Sequence, residues 1–313
     1  MQYDVIIVGA GPAGLSAAAF AARRKLKTLV LEATSKVGGK PVNVYGTKIV
    51  DDFIGFPDGV KGKEVGEALL RQAQKFGAEI KCESRVSKVS IENNDKLVST
   101  DDGKTYRAKA VIIATGSHSK SFVGGIEGEA EFKNKGVSYE LQNPNEMKDK
   151  IVFVVGGGET AVETAITLKD IAKQVYLVHR RDSFRADEIL VEQLKKSKIN
   201  ILTNSRLQKI HGDDKVTGVT IYNDATKKEI EMKADQVIFC FGTVPASEML
   251  KDLNVKLDEK GLIMVDCDQK TNIEGIFAAG DVAGGAMRIS TAIGEGVKAA
   301  LNAYKYIKQP YWA

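Results

Sequence analysis

One pattern of apolar and polar positions occurs twice along the chain. Residues 3–8, Tyr-Asp-Val-Ile-Ile-Val, form a short apolar run, residues 9–14 read Gly-Ala-Gly-Pro-Ala-Gly, and an Ala-rich stretch follows. An apolar run closed by glycines and followed by a longer small-residue segment predicts a buried strand, a tight turn and a helix. Residues 151–162, IVFVVGGGETAV, repeat the pattern: Gly9, Gly11 and Gly14 find counterparts in Gly156, Gly158 and Ala161, each 147 positions on. A second apolar strand follows at the same spacing, ending at Glu32 in the first copy and reaching His179 in the second. Residues ~79–110 and ~200–236 then alternate apolar and polar positions between turn signals, which predicts antiparallel meanders with one wet face. SRVSKV (84–89) echoes SRLQKI (205–210), and the closing runs VIIATGS (111–117) and VIFCFGT (237–243) echo each other. Past residue 243 no third copy begins. That stretch holds GIFAAGDV and one long helix from about Ser290 to Ile307.

The class this predicts is α/β, with two Rossmann-like nucleotide-binding units. Hinges are expected at Gly116 and Gly242, where the closing strands end. One domain is then 116–242, inserted in another assembled from 1–115 and 243–313. A lone GxGxxG is weak evidence, but here each copy sits between a strand and a helix, as its mechanism requires. The first glycine permits the turn, the second lets backbone approach a pyrophosphate, and the third allows helix and strand to pack closely. The helix N-terminus then presents free N–H groups and the positive end of its dipole to the anion.

The two copies differ in charge at the end of the second strand. Glu32 can accept hydrogen bonds from a ribose diol. In the other copy His179-Arg180-Arg181 stands there, with Arg185 four residues on. Guanidinium groups suit a 2′-phosphate, so this site is expected to take NADP(H). A solvated basic turn is the bland alternative. Two dinucleotides on one chain suggest electron traffic, and the first diphosphate is assigned to FAD. Asp281, after the small-residue turn of GIFAAGDV, is placed to hold cofactor hydroxyls. The helix start near Arg288 and Ile289 supplies N–H groups for an anionic flavin edge.

Composition narrows the class further. Hydrophobic residues make up 43% and charged residues 27%, with a net charge of +4. That charge is too small to argue for nucleic acid. Residues 116–242 carry equal numbers of acids and bases, so the excess lies in the other domain, where Arg23, Arg24, Lys25 and Lys27 cluster. Such a cluster steers an acidic protein partner or is only a solvated face. No apolar run of about 18 residues is present, which predicts no membrane helix. The strand beginning at residue 3 leaves no room for a cleavable leader. Cys82, Cys240 and Cys267 lie far apart and match neither a disulfide framework nor a metal pattern. A cytosolic compartment follows as an expectation, with Cys240 as a buried small hydrophobe.

The segments GAGPAG, VGG (37–39), IIATG, GGGETAVE, HRRDSFRA and GIFAAGDV span the chain and resemble the low-molecular-weight thioredoxin reductase superfamily of two-dinucleotide flavoproteins. The resemblance implies FAD and NADPH domains of three-layer ββα type, usually in a homodimer. It implies FAD contacts at Gly9, Gly11, Pro12, Ala13 and Gly14, at Glu32, and at Gly39 and Lys40. Ala114 and Gly116 of IIATG join them, with Asp281 and the helix start at Arg288, Ile289 and Ser290. For NADP(H) it implies Gly156, Gly158, Glu159, Thr160 and Ala161, then His179, Arg180, Arg181 and Arg185, and Gly242.

One departure decides the expected activity. Thioredoxin reductases carry Cys-x-x-Cys just before the second nucleotide-binding strand. Here Glu140 and Asn143 occupy those approximate places. The longer KPVNVYGTKIVDDFIGFP segment (40–57) looks like ferredoxin–NADP⁺ reductases of thioredoxin-reductase-like type. That resemblance assigns flavin stacking to Tyr45, otherwise a half-buried loop aromatic, and an FAD contact to Asp52. Lys40 stands where both families usually have Gln. The tail also departs: the chain stops at KYIKQPYWA, and Tyr311 and Trp312 either reach a flavin, in this chain or across a dimer, or pin to the surface. The expected activity is FAD-dependent ferredoxin or flavodoxin–NADP⁺ reduction, with no catalytic side chain and no metal. The alternatives are a dithiol-free NAD(P)H oxidase or diaphorase, and a non-enzymatic FAD redox sensor.

Overall fold

The structure is a computed structural model that describes residues 2–46, 48–119, 125–141 and 143–312. The chain divides into two compact units, Met1–His118 with Val244–Ala313, and Ser119–Thr243 inserted between them in sequence.

In the first unit the apolar run becomes the strand Gln2–Val8, and the Ala-rich stretch becomes the helix Pro12–Arg23. Proline at the first helical position suits a site whose N–H would have no intrahelical partner. The strand is buried on both faces, as a parallel sheet requires. Val5 and Ile7 enter one apolar cluster with the small residues of the helix, while Ile6 and Val8 enter the cluster on the opposite face. Gln2–Val8 pairs in parallel with Thr28–Leu31 on one side and Thr105–Ile113 on the other. The sheet runs in the order Glu79–Lys81, Thr28–Leu31, Gln2–Val8, Thr105–Ile113, Asp95–Thr100, Val86–Glu92, and Ile276–Ala278 of the GIFAAGDV segment pairs with the end of Thr105–Ile113. The long helix, Ile289–Lys308, lies against Pro12–Arg23 at close approach. A Cβ on Gly296 would stand 2.1 Å from the Ala13 carbonyl oxygen, and Ser16 Oγ donates to Ile293 O at 3.1 Å.

The inserted unit repeats this plan. Ile151–Val155, Gln174–Val178, Asn200–Leu202, Gln236–Phe239 and Val137–Ser138 form an all-parallel sheet, and the helix Glu159–Leu168 follows the Gly-rich turn. Val152 and Val154 face that helix, whereas Phe153 and Val155 face the antiparallel strands.

The meanders differ in a way the repeat does not foretell. In the first unit Thr105–Ile113 is one nine-residue strand, antiparallel to the meander at its start and parallel to Gln2–Val8 over most of its length, so all seven strands share a sheet. In the inserted unit, Ala234 and Asp235 interrupt the corresponding run. Asp235 Oδ2 accepts from Ile151 N at 2.8 Å, and the strands Ser205–Gly212, Val216–Asn223 and Lys228–Lys233 form a separate sheet. A carboxylate spent on backbone at a strand junction diverts the ladder.

Candidate functional site

Each Gly-rich turn is dictated by close approaches. Gly9 adopts φ +101°, and a Cβ there would lie 2.4 Å from Ala114 O. A Cβ on Gly14 would lie 1.9 Å from Gly9 O. These two glycines hold turn, helix and closing strand together. Gly11 is different. Its φ of −79° is ordinary, and its nearest neighbour for an added Cβ is Gly39 Cα at 3.8 Å. Gly158, at φ −94°, has nothing within 4 Å. Protein packing thus requires glycine at neither position. The open space lies where the motif brings a diphosphate against the helix start, so the turns fit the groups expected of them. Gly39 is needed for closeness to Gly11, since its own Cβ would stand 2.8 Å from Gly11 Cα.

Glu32 follows its strand directly and is 9% exposed, and its carboxylate is already engaged. Oε2 accepts from Ala10 N at 2.9 Å, and Oε1 accepts from Thr34 N and Thr34 Oγ1, each at 2.9 Å. The residue read as a ribose acceptor therefore also ties down the second residue of the Gly-rich turn. Thr34, which fixes the carboxylate, carried no motif in the sequence.

Four other expected contacts of the first unit pair with one another. Lys40 Nζ lies 2.7 Å from Asp281 Oδ2 and donates to Ser117 Oγ at 2.7 Å, and Ser117 Oγ donates to Asp281 Oδ2 at 3.2 Å. Arg288, the residue before the long helix, reaches Asp52 Oδ2 with Nε at 3.4 Å. Ile289 and Ser290 form the first turn of that helix. Glu295, one turn on, accepts from Gly280 N at 2.7 Å, and desolvation, with Asp281 adding repulsion, raises its pKa. Its place in the IGEG run after GIFAAGDV is the only sequence signal it gave. Tyr45 is half-buried, with the Lys48 ammonium 5.4 Å from its ring centre. Ala114 is buried beneath the turn, and Gly116 adopts φ +68°.

Trp312 is not brought to these groups within its own chain. It stacks on Tyr304 (6.1 Å between centroids, 16° between planes), near the C-terminal end of the long helix. Arg24 lies over the Trp312, Tyr304 and Phe20 rings, at the far end of Pro12–Arg23 from the Gly-rich turn. Tyr311 is fully exposed. The basic cluster is correspondingly less free than the sequence implies: Arg23 lies 6.0 Å from the Phe76 ring centre and Lys27 5.0 Å from that of Tyr3.

In the inserted unit, the His179 ring covers Gly157. A Cβ there would come within 2.0 Å of His179 Cε1, so the middle turn residue must be glycine. His179 also stacks on Phe184 at 5.4 Å. Desolvation lowers its pKa below the ordinary 6.5, and the positive charges of Arg181, Arg180 and Arg185 push the same way. Arg185 N donates to Gly157 O at 2.8 Å. All three arginines are exposed. Glu159 and Thr160 open the helix, Ala161 is fully buried, and Gly242, at φ +89°, has nothing within 4 Å.

At positions 137–147, Asn143 caps a short 3₁₀ helix: its Oδ1 accepts from Asn145 N at 3.2 Å. The three cysteines are free; burial raises the Cys240 thiol to about 11, and burial with nearby Glu32 and Glu83 raises Cys82. No helix among the described residues is long and apolar enough to cross a membrane.

Comparison with known proteins agrees with this double dinucleotide architecture. Residues 3–296 match the family described as pyridine nucleotide-disulphide oxidoreductase. The chain is 38% identical to a thioredoxin reductase of Listeria monocytogenes, over 98% of this chain and 94% of that protein. It is 36% identical to a ferredoxin–NADP reductase of Halalkalibacterium halodurans, over 97% and 93%. The crystal structure of Lactococcus lactis thioredoxin reductase superposes with a TM-score of 0.91 at 34% identity, covering 98% of this chain and all of that one. The chain therefore belongs to the pyridine nucleotide-disulphide oxidoreductase family, and it is an oxidoreductase of flavin and nicotinamide nucleotide type.

Proposed function

We propose that the chain is an FAD-dependent ferredoxin or flavodoxin–NADP⁺ reductase, with FAD on the first unit and NADP(H) on the inserted one. What supports this reading is that Cys82, Cys240 and Cys267 form no Cys-x-x-Cys in the sequence. By the resemblance, Glu140 and Asn143 occupy the approximate places of the thiol pair, and Asn143 serves as a cap. Thiol–disulfide exchange needs an accessible thiolate with a resolving partner, whereas burial holds the Cys240 thiol protonated at neutral pH. Held at the Gly9–Gly14 turn, a flavin would supply hydride acceptance from NADPH and one-electron exchange with a protein carrier, in either direction. The role of this chain's own residues is to bind and orient. Gly11 and Gly39 admit the diphosphate to the helix start, Glu32 fixes the turn, and Asp281 and the Arg288–Ser290 helix start face the cofactor's polar groups. Arg180, Arg181 and Arg185 discriminate in favour of a 2′-phosphate. A homodimer in the cytosol, with an acidic carrier as partner, completes the reading.

The position of Trp312 favours a second reading. Its stacking on Tyr304 leaves this chain's own tail away from the Gly11 turn, which suits an NAD(P)H oxidase or diaphorase whose flavin meets O₂ or a small acceptor. Steady-state NADPH oxidation with ferredoxin, flavodoxin, thioredoxin and O₂ as separate acceptors decides between them. The first reading expects ferredoxin or flavodoxin to be reduced far faster than O₂ or thioredoxin. O₂ or a dye as the best acceptor would replace it with the second.

A further inference from the structure

Three carboxylates gather about the helix start of the first unit, where an anionic cofactor is expected to sit. Glu32 sits under the turn, Asp281 stands beside Gly280, and Glu295 accepts from Gly280 N. A Cβ on Gly280 would come within 3.0 Å of Ala13 Cβ, so this acidic segment packs directly on the first turn of Pro12–Arg23. A ligand bearing a diphosphate would enter against these carboxylates. Lys40, which follows Gly39 in sequence, pairs with one of them, and Gly39 in turn faces Gly11. Its ammonium is 2.7 Å from Asp281 and 2.7 Å from Ser117.

The exposure of this pair is informative. The Lys40 and Asp281 side chains are 35% and 18% exposed. An ion pair that open contributes little to folding, so folding does not explain it. Its effect on a bound anion is larger, because a charge at a partly desolvated ligand surface is weakly screened. Lysine is suited to such a role as a compact point charge, where arginine would act as a planar fork.

We propose that Lys40 is a cofactor-positioning residue: by neutralising Asp281 it sets how tightly the first unit holds an anionic dinucleotide. The inference rests on the assignment of FAD to this unit and names the group that makes the seat hospitable. Ser117 holds the ammonium and the carboxylate in register. Asp281 keeps Oδ1 for cofactor hydroxyls while Oδ2 is occupied by Lys40 and Ser117.

The test is FAD release from the full-length, FAD-loaded protein on dilution, followed by the fluorescence of free FAD. Wild type, Lys40→Met, Lys40→Arg, Asp281→Asn and the Lys40→Met/Asp281→Asn double variant form the set. Lys40→Met is expected to raise the FAD dissociation constant at least tenfold, and Lys40→Arg, which keeps the charge, less than threefold. In the Asp281→Asn background the same Lys40→Met change should cost less than threefold, the coupling a double-mutant cycle isolates. Wild-type retention of FAD by Lys40→Met, or an equal cost in both backgrounds, overturns the role of Lys40. Failure of the wild type itself to hold FAD overturns the assignment beneath it.

Discussion

The two Gly-rich turns use the same geometry with opposite charges. At the end of the second strand, Glu32 reaches back to Ala10 N in one unit, and His179 packs over Gly157 in the other. Ala10 and Gly157 are equivalent residues of the repeat, so each side chain closes the middle of its own turn. The acid does so with a hydrogen bond, which accepts Ala at that position. The imidazole does so by contact, which demands Gly. The charge at this position therefore has a structural side as well as a ligand side. Where it is an acid, the turn itself holds part of the carboxylate. Where it is an uncharged ring, the proposed function gives the work of meeting a ribose to Arg180, Arg181 and Arg185.

The third motif position is the sharpest place to break the comparison. Gly14 has no room for a methyl group, since a Cβ would stand 1.9 Å from Gly9 O. Ala161 carries that methyl and is fully buried. Gly14→Ala should destabilise the first unit by about 3 kcal/mol through overpacking. Ala161→Gly should cost only about 1 kcal/mol, the helix penalty of glycine. Chemical denaturation of both variants measures the difference, and equal losses would mean the two helices pack on their turns alike.

Coenzyme choice comes next in size. Arg180→Ala/Arg181→Ala should raise the NADPH KM about ten- to a hundredfold, the value of one or two charge-assisted hydrogen bonds, and leave NADH nearly unchanged. Equal use of NADPH and NADH by the wild type would return the arginines to a solvated basic turn.

The middle glycines separate the two sites. Gly11→Ala and Gly158→Ala have ordinary φ and open space, so stability should hold or rise by about 0.5 kcal/mol. Gly11→Ala should weaken FAD binding at least tenfold and leave NADPH binding intact, and Gly158→Ala the reverse. Loss of both cofactors in either variant would contradict the assignment of one dinucleotide to each turn.

These comparisons also mark what the sequence made legible. The repeat, its strands, the long helix and the charge reversal between Glu32 and the Arg180–Arg181 pair are all written in local pattern. The splitting of the second meander is not: it depends on Asp235 finding Ile151 N, 84 positions away in the chain. Nor are the pairs Lys40–Asp281 and Asp52–Arg288, each of which joins residues more than 200 positions apart. Motif reading treats such residues as separate ligands of a cofactor, while proximity makes them partners of each other. The stacking of Trp312 on Tyr304 is local, eight residues apart, but aromatic tails carry no periodicity that says which ring they meet.

The smallest effect expected is on pH dependence. His179 has a folded pKa below the ordinary 6.5, so the unfolded chain takes up the proton first. Its contribution to stability is intact above pH 6.5 and is lost as pH falls through the lowered folded value. His179→Gln should flatten the stability profile in that window relative to wild type. Parallel profiles would show the ring to be as readily charged in the folded chain as in the unfolded one.

The central claim is that electrons leave by the flavin and not by a thiol pair. It is tested most directly by NADPH-driven reduction of ferredoxin and of thioredoxin by the Cys82→Ser/Cys240→Ala/Cys267→Ser variant beside the wild type. Alanine at position 240 respects the burial that holds that thiol near 11. Ferredoxin reduction is expected to stay within about threefold of wild type, under 1 kcal/mol of barrier, and thioredoxin reduction to be absent from both proteins. Brisk reduction of thioredoxin by the wild type, lost in the cysteine-free variant, would contradict the account.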